Sequence, residues 1–202
     1  MGKKIGILGG TFNPIHFGHI KLAQVSYEQL LLDKVIFMPS GQSYMKRDMY
    51  VVPGEERLKL IDLAIANVSY FESSDIELKR QGNTYTYETL QYLHSQHPED
   101  EFYFILGADC LFSMEKWLHP ELIFSQCIIV AAVRNGMDKE NLKKQAIKLQ
   151  NIFQAKIELL DFEELKISST EIRNKLEKGE SVSDFVPSTV EEYIFAHKLF
   201  IK

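Results

Sequence analysis

Lys4-Ile5-Gly6-Ile7-Leu8-Gly9-Gly10-Thr11-Phe12-Asn13-Pro14-Ile15-His16-Phe17-Gly18-His19 is the stretch on which the reading of this chain turns. Lys4 to Leu8 is a short apolar run of the kind that forms a buried strand, and it leads straight into a turn at Gly9-Gly10. Gly18 to Leu32 then has helical spacing, with Ile20, Ala23, Tyr27, Leu30 and Leu31 predicted on one side. Glycines between a strand and a helix let the backbone approach a phosphate, and the helix start offers free amides and a positive dipole end. In an open parallel sheet, ligands bind at such a turn.

The same alternation continues outward. Strands are predicted at Lys34 to Met38, within Val68 to Leu78, at Phe102 to Leu106, at Cys127 to Val133 and at Lys156 to Leu160. Between them lie helices at Glu55 to Ala66, facing inward through Leu58, Ile61, Leu63 and Ile65, at Thr86 to His94 and at Asp138 to Gln150. Ser40 to Pro53 lacks periodicity and reads as a loop over a site. Two short helices follow, one opening near Ser168 and one at Ser188, where Ser188 and Glu191 have capping-box spacing. This pattern predicts an α/β protein, a Rossmann-like doubly wound parallel sheet with right-handed crossovers and a small helical part over about 165–202. No repeat or linker divides residues 1–202, so one domain is expected.

Composition narrows the function classes. Apolar residues make up 45% and charged residues 25% of 202, as in ordinary soluble proteins, and the first ten residues fit neither a signal peptide nor a membrane span. Cys110 and Cys127 have no metal or redox spacing, so free thiols in a reducing cytoplasm are expected. The net charge of −5 argues against a nucleic-acid binder but permits a small anionic ligand held by a local positive cluster. Membrane attachment is not expected; self-association into a homo-oligomer is compatible with the sequence and not specified by it.

His16 and His19, three apart across Gly18, can present two imidazoles on one side of the turn and hold the charge of a reacting phosphate. A plain turn with surface histidines is the competing account, and zinc is a third, for which no further ligand falls at suitable local spacing. The second segment is Ile167-Ser168-Ser169-Thr170-Glu171-Ile172-Arg173. Ser168 and Glu171 fit an ordinary capping box, and the same amides, hydroxyls and Arg173 could grip a polyphosphate.

The first segment resembles the nucleotidyltransferase pattern Gly-x-Phe-x-Pro-x-His-x-Gly-His, and Ser168 to Arg173 resembles that superfamily's Ser-Ser-Thr-x-Ile-Arg. Tyr85-Thr86, Gly107-Ala108-Asp109, Trp117 and the run Val186-Pro187-Ser188-Thr189-Val190-Glu191-Glu192-Tyr193-Ile194 look like the bacterial nicotinate mononucleotide adenylyltransferases. The resemblance implies transfer of the adenylyl group of ATP to nicotinic acid mononucleotide, with Mg²⁺ carried on ATP and no protein ligand named for it. It implies that His16, His19 and Arg173 act in catalysis. ATP would lie along Gly9, Gly10, Thr11, Phe12, His16, Gly18, His19, Gly107, Asp109, Arg134, Ile167, Ser168, Ser169 and Arg173. The acceptor would meet Asn13, Lys46, Tyr85, Thr86, Trp117 and Leu118. For Asp109 a helix cap, and for Trp117 core packing, are the plain alternatives.

Two departures stand out. Asn13 replaces an Asp common in the family, and Ser43-Tyr44-Met45-Lys46 stands where Pro-Pro-His-Lys is usual. Other readings are an adenylyl- or cytidylyltransferase of the same superfamily acting on a different acceptor, such as a phosphopantetheine adenylyltransferase, and a nucleotide sensor without turnover. A dinucleotide-binding oxidoreductase lacks its Gly-x-Gly-x-x-Gly after the first strand.

Overall fold

Strand β1 (Lys4–Gly10) outlasts its apolar run and carries both glycines inside the sheet. Gly9 and Gly10 pair in register with Met38 and Pro39 of β2 (Lys34–Pro39), and the Ser40 amide bonds the Gly10 carbonyl at 2.8 Å. The turn expected at Gly9-Gly10 therefore begins at Thr11, because a neighbouring strand is there to satisfy the glycine backbone. The computed structural model describes residues 2–41, 50–133, 139–162 and 165–201.

Helix α1 (Phe17–Leu30) ends where Leu31 turns left-handed, with φ of 52°. That turn swings Leu31 off the buried face, leaving it 79% exposed, while Leu32 is buried. Helix α2 (Gly54–Ile65) buries Arg57, Leu60, Ile61 and Ile65, so its inward face is shifted from the predicted one, with Leu58 and Leu63 only half-buried. Then come β3 (Phe71–Ser73), α3 (Thr86–Gln96) and β4 (Glu101–Gly107). Two 3-10 turns, Ala108–Phe112 and Met114–Lys116, lead to α4 (Pro120–Gln126), a seven-residue helix too short for periodicity to announce. The chain continues through β5 (Ile128–Val133), α5 (Lys139–Phe153), β6 (Lys156–Asp161), α6 (Ser169–Leu176) and α7 (Ser188–Ala196).

All six strands run parallel in the order β3-β2-β1-β4-β5-β6. Helices cover both faces, which is why the strands are apolar on both sides. Leu8, Tyr103, Ile105 and Val130 face one cluster with Ala23, Leu60 and Ile61; Ile7, Phe102, Leu106 and Ile129 face the other with Leu90, Phe124 and Leu142. After β1 the chain winds to β2 and β3, then returns to lay β4 on the other side of β1. That reversal opens a crevice beyond the carboxyl ends of β1 and β4.

Ile172, Leu176, Val190 and Ile194 join the cluster beneath α1 and α2, and the Thr189 hydroxyl bonds the Leu63 carbonyl at 3.2 Å. Ser188 does not cap α7: Pro187 holds the cap position and Ser188 is the first helical residue. Glu191 turns instead to the Ser181 hydroxyl and the Val182 amide, each at 2.7 Å. A nearby loop thus outcompetes the helix end for the carboxylate.

Candidate active site

His16 is the residue before the first turn of α1, in extended backbone, with a buried side chain. Its imidazole stacks on His19, ring centroids 3.7 Å apart. Burial lowers the His16 pKa to about 4, so the ring is neutral at neutral pH. The His16 amide donates to His19 Nδ1 at 3.3 Å, which places the proton of a neutral His19 on Nε2. His16 Nδ1 is buried and makes no hydrogen bond among the described residues. Buried polar atoms ordinarily find a hydrogen-bond partner, which makes His16 Nδ1 a candidate contact for a ligand in this crevice.

Gly18 makes the stack feasible. A Cβ there would come within 3.0 Å of His16 Cε1 and Nδ1, tighter than ordinary packing allows. Phe12, with φ of 48°, drives its side chain into the core and meets the His19 ring edge-on at 4.9 Å. Phe12 thus presents backbone rather than a ring to the crevice. Not every amide at the start of α1 is available: Phe17 donates to the Phe185 carbonyl and His19 to the His16 carbonyl, each at 2.9 Å.

The second motif lies directly on this turn. Arg173, the fifth residue of α6, donates from Nη1 to the Asn13 carbonyl at 2.8 Å and from Nη2 to Thr170 Oγ1 at 3.2 Å. Ser169 Oγ bonds the Pro14 carbonyl at 3.0 Å, and Ser168 caps α6 by accepting the Glu171 amide at 3.1 Å. Ile167 precedes the cap, half-buried. Two segments joined by contacts that span 155 and 160 residues thereby form one wall of the crevice.

Asn13 is bound inward. Its amide nitrogen donates to the Tyr50 carbonyl at 2.9 Å and its oxygen accepts the Val52 amide at 3.1 Å. An aspartate could accept from Val52 but not donate to Tyr50, which gives the departure from the family a physical role. Sequence reasoning missed Arg57, 4% exposed, whose guanidinium reaches the carbonyls of Thr11 and Ser40 at 2.8 Å and Val52 at 3.2 Å. Its spacing of four from Ile61 and eight from Ile65 was the available signal: a charged residue on the buried face.

On the opposite side, Gly107 ends β4 beside β1, and Asp109 is exposed in the first 3-10 turn. Gly107, not Asp109, holds that turn's cap position. Thr86 opens α3 as predicted, after Tyr85. Tyr87 meets His119 ring to ring at 4.8 Å, bringing the start of α3 beside Leu118, which is exposed. Trp117 is half-buried, its indole N–H donating to Ser113 Oγ at 3.2 Å and its ring edge-on to Phe104. Lys46 and Arg134 lie outside the described residues.

No group of three His, Cys, Asp or Glu side chains suited to a metal occurs among the described residues. Likewise, no helix among the described residues is long and apolar enough to cross a membrane.

Comparison with known proteins agrees with this geometry. Residues 7–175 match the cytidylyltransferase-like family model. A probable nicotinate-nucleotide adenylyltransferase of Lachnoclostridium phytofermentans is 41% identical, covering 98% of this chain and all of its own length. One from Dehalococcoides mccartyi is 44% identical with 98% of each chain covered. Among solved structures, Plasmodium falciparum nicotinic acid mononucleotide adenylyltransferase complexed with NaAD superposes with a TM-score of 0.79 at 24% identity, over 98% of this chain and 97% of that one, a likeness of fold. The strand order, the joined His16/His19 and Arg173 motifs and relatives matched from end to end agree: the chain belongs to the cytidylyltransferase-like family and, within it, to the nicotinate-nucleotide adenylyltransferases.

Proposed function

We propose that the protein transfers the adenylyl group of ATP to nicotinic acid mononucleotide, working as one domain. The observation that carries this reading is the junction of Arg173 with the turn that holds His16 and His19, at the crevice where β1 and β4 diverge.

The mononucleotide's phosphate has its second pKa near 6, so at neutral pH it is mostly a dianion and needs no general base. One of its oxygens attacks the α-phosphorus in line, and the bond from that phosphorus to the oxygen bridging the β-phosphorus breaks. Pyrophosphate leaves with that electron pair. The protein's work is alignment and stabilisation of the departing charge. His19 donates from Nε2 to the bridging phosphates, and His16, neutral because it is buried, contributes as a hydrogen-bonding group rather than a cation. Arg173, with Ser168 and Ser169, holds the β- and γ-phosphates. Mg²⁺ carried with ATP would neutralise part of the triphosphate charge, and its reluctance to dehydrate fits a site to which this chain contributes no assigned ligand.

Gly107 and Asp109 flank the ribose; Arg134 and Lys46 take their roles by resemblance alone. The amides of Thr86 and Leu118 bind the pyridine carboxylate, with Trp117 and Tyr85 beside the ring. Fixed N–H donors favour a carboxylate over an amide, whose NH₂ would face them.

Pyrophosphate release with Mg²⁺ and ATP tests the reading, comparing nicotinic acid and nicotinamide mononucleotides beside His19→Ala. Turnover of the acid form, with at least a hundredfold loss in the variant, is the expected result. Equal use of both mononucleotides would remove the carboxylate pocket, and release with neither would point to another acceptor or a sensor.

A further inference from the structure

Glu77, in the connection from β3 to α3, is a half-buried acid that the mechanism above does not use. Three donors from separate parts of the chain converge on its carboxylate. Thr89 Oγ1 donates to Oε1 at 2.9 Å, and the Thr84 hydroxyl and the Gly41 amide also bond it. Thr84 and Thr89 are themselves buried. Gly41 follows β2, and a Cβ there would lie 2.4 Å from the Glu77 carbonyl oxygen, so the two segments touch through backbone. Arg80 donates to Thr89 Oγ1 at 3.2 Å and pairs with Glu88 at 3.4 Å. Arg57 interacts with Glu77 through charge.

Thr84 and Thr89 bracket Tyr85 and Thr86, and the Tyr85 carbonyl accepts the Thr89 amide at 3.2 Å. The peptide between Tyr85 and Thr86 is therefore held from before and after by hydroxyls that both bond one carboxylate. We infer that Glu77 is a positioning residue for acceptor selection, aiming the Thr86 amide at the acid end of the mononucleotide while tying the exit of β2 to the same point. This rests on the reading that the Thr86 amide binds the pyridine carboxylate.

The electrostatics suit that role. Burial raises the Glu77 pKa, while its three donors and Arg80 oppose the rise. With Arg80 and Arg57 near, the carboxylate can stay close to an anionic subsite without dominating its field. A glutamine offers one acceptor oxygen where the carboxylate offers two, so it cannot serve all three donors in the same way.

Steady-state kinetics of the full chain test this with Glu77→Gln, Thr89→Val and Thr89→Ser, each beside its thermal midpoint. Expected for Glu77→Gln and Thr89→Val is a roughly tenfold rise in KM for nicotinic acid mononucleotide, the scale of one lost hydrogen bond. KM for ATP should stay within about twofold, the acid-over-amide ratio of kcat/KM should fall, and Thr89→Ser, which keeps the hydroxyl, should restore both. A lowered thermal midpoint with the ratio unchanged overturns the inference and leaves Glu77 as scaffold. Should Glu77→Gln fail to fold, the Thr89→Val and Thr89→Ser pair decides by the same ratio. Equal use of the two mononucleotides by the wild type removes the Thr86 pocket and this role with it. Discrimination kept in the wild type and in every variant defeats the inference alone.

Discussion

Arg173 Nη1 donates to the Asn13 carbonyl across 2.8 Å, so a side chain of α6 fixes the backbone of the turn that follows β1. The bond is charge-assisted, and burial desolvates the guanidinium, which lowers its pKa and strengthens its demand for partners. One residue thereby ties the turn after β1 to the first turns of α6.

Arg173→Lys keeps the charge but gives up the fork that reaches Asn13 and Thr170 together. We expect kcat/KM for ATP to fall roughly 10- to 100-fold, as a charged hydrogen bond is worth about 1.5–3 kcal/mol. Ser169→Ala, losing one neutral bond to Pro14, should cost less. Initial-rate kinetics check the order, and a larger loss in Ser169→Ala would contradict this account.

His16 links folding to pH. Its pKa is about 4 in the folded protein against 6.5 unfolded, so between those values the unfolded chain binds the proton and the folded chain does not. Stability from this group is complete above pH 6.5 and is lost as pH falls toward 4, about 3 kcal/mol in all. In thermal melts at pH 7 and pH 4.5, wild type should lose more stability than His16→Asn. Parallel losses would show that His16 is not held neutral by burial.

Arg57 and Asn13 both grip the backbone near Val52. Arg57→Met strands the carbonyls of Thr11, Ser40 and Val52 in a buried place, and a cost of at least about 3 kcal/mol is expected in denaturant unfolding. Asn13→Asp should cost about 1–3 kcal/mol, since a carboxylate oxygen would then face the Tyr50 carbonyl. Unchanged midpoints in both variants would mean that this anchor has no energetic weight.

Local chemistry made much of this legible. Apolar runs buried on both faces gave the strands, Thr86 and Ser168 marked helix starts, and the glycine and histidine spacing marked the crevice. Less was visible wherever a distant partner sets the outcome. Leu31, predicted inward, is itself the left-handed residue that ends α1, and Ser188 lost its capping role because Glu191 found the loop at Val182. Arg57 and Glu77 are not legible in the sequence because a charge turned inward shows itself only through its partners, the carbonyls of Thr11, Ser40 and Val52 in one case and the donors from Gly41, Thr84 and Thr89 in the other.

By itself, the sequence determined the α/β class and the place, directly after β1, of the turn that carries His16 and His19. Those follow from periodicity and side-chain chemistry, which act within a few residues. Tertiary structure alone decided that Arg173 meets Asn13, that His16 is neutral and that Glu77 gathers Gly41, Thr84 and Thr89. Each depends on burial and on partners far apart along the chain, and these exist only after the sheet has brought the ends of β1, β2 and β4 together.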